Sequence, residues 1–148
     1  MNLPKIIVKK IEIKKNVEFI YELVQIVLKG NNNSLPFSEQ LYGRFPSLMN
    51  KIHPSLSDDE IFQIIDYDIR KELDEVEDAL EKRIIEIQER FHKIENQLLH
   101  NMLSLFEVEW PTSNSEITCY LGCLPVFPRN VITKEFWINY DSTDEKIF

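Results

Sequence analysis

ELDEVEDALEKRIIEIQERFHKIENQLLHNMLSLF, residues 72–106, decides how the rest of the chain is read. The run holds no Gly or Pro. Its apolar positions Leu73, Val76, Leu80, Ile84, Ile87, Phe91, Ile94, Leu98, Met102 and Leu105 step by three or four. That spacing lays one apolar face along a helix. Asp78–Lys82, Glu86–Arg90 and Glu89–Lys93 stand four apart with the acid first, the favourable order for helix ion pairs. At 1.5 Å per residue such a helix runs roughly 50 Å. Just upstream, Ser57-Asp58-Asp59-Glu60 is a capping box that opens a helical run through Ile61, Phe62, Ile64, Ile65 and Ile69.

Charge follows the same region. The chain carries 25 Asp and Glu against 17 Lys and Arg, and residues 57–90 alone hold 13 acids and 5 bases, the whole of the net −8. The plain reading is the solvated face of a long helix, and the functional alternative is an acidic surface for a basic partner. An acidic balance argues against a nucleic-acid binder, which needs a positive footprint. No window reaches the roughly 18 apolar residues of a membrane span, and no signal-peptide stretch occurs, so a cytoplasmic, reducing location is expected. Two cysteines, Cys119 and Cys123, are too few for a stapled secreted scaffold. The sequon Asn32-Asn33-Ser34 is then chance.

Towards the N-terminus, Ile6, Val8, Ile11 and Ile13 alternate loosely with lysines, as in a strand with an irregularity near Lys9-Lys10. Asn16 is the expected N-cap of a helix through Lys29, stopped by Gly30. Glu18, Glu22, Gln25 and Lys29 form its narrow polar stripe and almost everything else is apolar, so it should be buried. Residues 31–56 carry three prolines but also Leu35, Phe37, Leu41, Tyr42, Phe45, Leu48 and Met49. This reads as a long connection packed on the body, with a helical turn near Ser38–Tyr42.

Past a break at Pro111–Ser115 the pattern changes. Glu116–Leu121 alternates as a strand, residues 122–134 form a loop with Pro125, Phe127, Pro128 and Arg129, and Glu135–Tyr140 is a strand with Phe136, Ile138 and Tyr140 on one face. Pro125 and Pro128 sit where a tight turn can use a cis bond. The loop either presents Arg129 to a carboxylate or is a rigid connection with Phe127 buried. Ser142-Thr143-Asp144-Glu145 then opens another helix. The expected fold is α+β and mainly helical: a buried N-terminal helix, one long amphipathic helix and a small antiparallel β part near the C-terminus. A single domain is expected over 1–148, with a helical part at 16–107, strand-loop-strand at 116–140 and the start of a truncated helix at 142–148.

No catalytic constellation stands out. His53, His92 and His100 lie outside the strand region with the cysteines, and His92 and His100 lack the four-residue spacing of a helical zinc pair. Cys119 and Cys123 have no third ligand nearby, and the three glycines, Gly30, Gly43 and Gly122, form no phosphate loop.

Ile117-Thr118-Cys119-Tyr120-Leu121-Gly122, then Pro125-Val126-Phe127-Pro128-Arg129, then Phe136-Trp137-Ile138 resembles the region before the active-site helix of uncharacterised bacterial zincin-like proteins. The resemblance covers roughly residues 116–148. It implies a following helix with His-Glu-x-x-His, a motif that occurs nowhere in these 148 residues. No catalytic residue, zinc ligand or cofactor site is therefore carried over, and zinc would belong to a longer native protein. The implied function is the non-catalytic N-terminal part of a zincin-like metallopeptidase, inactive on its own, with Arg129, Tyr120 and Trp137 as candidate cleft or loop contacts. The alternative is a complete α+β interaction module whose long acidic helix docks a protein or peptide partner or a second copy. An enzyme complete in these residues is a third class without assignable residues.

Overall fold

The computed structural model describes residues 3–30, 35–106 and 116–147. The elements run β1 (Lys5–Lys10), α1 (Ile13–Leu28), α2 (Leu35–Arg44), α3 (Pro46–Lys51), α4 (Asp58–Glu75), α5 (Glu77–Phe106), β2 (Glu116–Gly122), β3 (Arg129–Asn130), β4 (Glu135–Asn139) and α6 (Asp144–Ile147). The fold is α+β and mainly helical, and the chain divides into two compact units. Met1–Lys10, Asp78–Leu121 and Pro128–Phe148 form the first; Ile11–Glu77 and Gly122–Phe127 form the second.

The first unit is a four-stranded sheet in the order β1-β2-β4-β3. It is mixed, which enlarges the antiparallel part expected near the C-terminus. β1 runs parallel to β2, with Ile6 opposite Ile117 and Val8 opposite Cys119, while β3 and β4 are antiparallel. Only the sheet's ladder reveals that the lysine-rich N-terminal strand joins strands more than a hundred residues away. Ile6, Val8, Cys119, Leu121 and Ile138 make one core cluster with Leu80, Ile87 and Phe91 of α5, and Phe136 and Tyr140 pack against it. Phe91 and Phe136 meet edge to face at 6.4 Å.

The second unit is helical. α1 buries Val17, Ile20, Leu23 and Val24, and α4 buries Ile61, Ile65, Ile69 and Leu73, the periodic rows expected of each. Tyr21 and Phe62 join the two helices edge to face at 5.3 Å. The capping box forms as read: Ser57 Oγ accepts from the Glu60 N–H at 3.2 Å, and Glu60 Oε2 accepts from the Ser57 N–H at 2.9 Å. Gly30 follows α1 with a positive φ of 61°, a left-handed position that a glycine takes without strain.

Several expectations are corrected. α1 begins at Ile13 behind Glu12, not at Asn16, because the Asn16 side chain is fully buried and bonded elsewhere. The connection after α1 is two helices, α2 and α3, rather than a single turn; its packed character holds, with Leu41, Phe45, Leu48 and Met49 buried. The long helical run is interrupted at Val76 (φ −108°, ψ 11°), with no Gly or Pro to mark the spot. Two long-range ion pairs add to the helix pairs read from spacing: Asp144 takes both Arg83 and Arg90, and Arg83 also pairs with Glu86. Phe127 is half exposed, and Cys123 and Leu124 are the buried residues of that loop. No peptide bond among the described residues is cis. The Asn31–Ser34 and Pro111–Ser115 readings lie outside the described residues.

Candidate functional site

β1 lies at one edge of the sheet, and an edge strand offers a row of unpaired backbone groups. Side chains of α5 occupy that row. Gln88 Oε1 accepts from the Val8 N–H at 2.8 Å while Gln88 Nε2 donates to the Ile6 carbonyl at 2.8 Å. Glu95 Oε2 accepts from the Ile6 N–H at 3.0 Å. Two side chains seven residues apart thus imitate a neighbouring strand and close the edge to other chains. His92 Nδ1 lies 3.2 Å from the second oxygen of Glu95. Sequence reasoning missed this device. The signal was present, since Glu95 stands between Phe91 and Leu99 in a row otherwise apolar.

That anchor sets which side of α5 faces inward. Buried Phe91, Glu95, Leu99 and Leu103 step by four, and each step of four advances about 40° around the helix. The buried row therefore winds away from the straighter line expected at sequence level. Ile94, Leu98, Met102 and Leu105, expected in the core, are exposed at 36%, 41%, 47% and 76%, with Phe106 at 66%. Around them, Asn96 to Phe106 holds no Asp, Glu, Lys or Arg, whereas Glu77–Glu89 holds five acids and two bases. The long helix is acidic in its first half and bears an uncharged apolar face in its second.

The predicted contact residues divide. Tyr120 and Trp137 come together, their rings stacked at 5.5 Å and 19°, and Tyr120 Oη donates to Glu135 Oε1 at 3.3 Å. Arg129 is not brought to them. It pairs in register with Phe136, the neighbour of Trp137, and lines a separate shallow hollow of about 250 Å³ with Ile117 and Phe136. No carboxylate among the described residues forms an ion pair with Arg129.

Nucleophilic and metal chemistry find little footing. Cys119 and Cys123 are unpaired and fully buried, and burial pushes both thiols up to about 12, so neither supplies a thiolate near neutral pH. The Cys123 backbone is gripped by Asn16, whose Oδ1 accepts from its N–H at 3.0 Å and whose Nδ2 donates to its carbonyl at 2.9 Å. His53 and His100 are exposed. Among the described residues no three of His, Cys, Asp and Glu converge on a point. A cleft of about 350 Å³ beside α3 and α4 contains Arg44 and Lys51, but Glu72 bonds the first at 2.6 Å and Asp68 the second at 2.9 Å. No described helix is long and apolar enough to cross a membrane. Comparison with protein-family models, curated proteins and solved structures finds no match to this chain.

Proposed function

We propose that this chain is a protein-interaction module that docks through the second half of α5. One observation carries the reading: five large apolar side chains lie exposed together, Leu98, Met102, Leu105 and Phe106 on a stretch without charge and Ile94 just before it, between Lys93 and Glu95. Scattered exposed apolar residues need no explanation, but a row aligned on one helix face is the form of a helix-docking surface. The module belongs to the cytoplasm in this reading, in keeping with two unpaired thiols. The test is a photoreactive phenylalanine analogue placed at position 98, or at 94, and irradiated in the source cells. Covalent adducts at these positions, and none at exposed Lys71 on α4, are expected. Absence of adducts at both row positions would sink the reading.

A second reading keeps the zincin-like resemblance. It is supported by the succession of β2, a proline-bearing connection, β4 and α6, the order the resemblance requires. On this reading the chain is the non-catalytic part of a metallopeptidase, and Tyr120, Trp137 and Arg129 flank its cleft. Sequencing the source gene past Phe148 tests it: a His-Glu-x-x-His helix, with zinc in the purified product, supports it, and an open reading frame without that motif ends it.

A further inference from the structure

We infer that the occupant of the α5 face is a second copy of this chain, its α5 running antiparallel to the first; the inference rests on the docking reading above. The argument begins with charge. At a net −8 two copies repel one another. A partner chosen by charge would be met on Glu77–Glu89, with its five acids, and not on a stretch that has none. The uncharged stretch is where like chains approach at least electrostatic cost.

The polar side chains bordering the row point the same way. Gln97 and Asn101 each donate and accept, and both are exposed. A patch of amides and apolar groups is complementary to itself, as a two-fold interface requires, whereas a patch of one charge sign is not. Antiparallel packing also carries the two acidic halves to opposite ends of the dimer; parallel packing would set them side by side.

Area sets the strength. At about 200 Å² for a large apolar residue, the exposed fractions of the row amount to about 500 Å² per copy, or about 1,000 Å² for the pair. That is the lower edge of specific interfaces, so the dimer is weak, with a dissociation constant on the order of 1–100 µM.

With the pair centred on the middle of the row, the two Leu98 positions lie about 6 Å apart along the helix axis and the two Leu105 positions about 15 Å. The experiment is cross-linking of the full chain by a short bis-maleimide after Leu98→Cys or Leu105→Cys, the buried native thiols remaining silent. Expected is a covalent dimer from Leu98→Cys and little from Leu105→Cys. Equal dimer from both would overturn the antiparallel arrangement. No dimer from either, with photo-adducts of another mass at position 98, would overturn the second copy while sparing the docking reading; no adducts at all would remove both. Leu98→Glu supplies the independent measure, raising the dissociation constant at least about 30-fold while the helical spectrum stays unchanged.

Discussion

Replacing Asn16 by Ala tests the least replaceable polar contact of the helical unit. The side chain is fully buried and grips both backbone groups of Cys123. Removing it leaves a buried N–H and a buried carbonyl without partners, at about 1–3 kcal/mol each. The expected loss is about 3–5 kcal/mol, a large part of the 5–15 kcal/mol typical of a domain. Gly122 bears on the same point. A Cβ there would lie 2.4 Å from Ile11 Cγ2 and 2.5 Å from Asn16 Oδ1, so Gly122→Ala should cost about 1–3 kcal/mol by overpacking. Because Asn16→Ala removes one of the two obstructing atoms, the double variant should lose less than the sum, by about 1 kcal/mol. Urea unfolding followed by far-ultraviolet circular dichroism measures all three. A loss below about 1 kcal/mol for Asn16→Ala, or full additivity, would refute the reasoning.

Gln88→Ala should speed hydrogen exchange at the Val8 amide and lower stability by about 1–2 kcal/mol, since Val8 N–H and Ile6 carbonyl lose their partner; unchanged exchange at Val8 would contradict the strand-mimic role. Arg83, then Arg90, hold the Asp144 carboxyl below the ordinary carboxylate range, so its contribution is complete above about pH 4 and lost as pH falls through its depressed value. Acid should therefore loosen α6, read as faster exchange at residues 145–147; Arg83→Ala should weaken that pH dependence, and Arg83→Ala with Arg90→Ala should abolish it. Ser57→Ala removes the cap of α4 and should cost about 1 kcal/mol in the same urea assay. Ellman's reagent should find no reactive thiol in the native chain and two after unfolding; prompt native reaction would contradict the burial of Cys119 and Cys123.

The local elements were legible because their signals are local. A capping box at Ser57, a glycine after Leu28-Lys29 and period-two alternation at Glu116–Leu121 each declare themselves within a few residues. What escaped was long-range. Asn16 has the side chain of a cap, and its true partner is 107 residues away. β1's parallel partner lies beyond five helices. The inward row of α5 could not be read from spacing, because Ile94–Leu98–Met102–Leu105 and Phe91–Glu95–Leu99–Leu103 are both spaced as core rows. Glu95 decides between them through one backbone N–H of β1. Of the candidate contacts, Tyr120 and Trp137 meet through strand alternation on adjacent strands, while Arg129 sits opposite Phe136 and so falls elsewhere.

Sedimentation velocity over a concentration series, for the native chain beside Leu98→Glu, tests the central claim most directly. The account predicts a native weight-average mass climbing towards twice the monomer value between about 1 and 100 µM, with Leu98→Glu held at the monomer. Two superimposable monomer profiles through that range would contradict it.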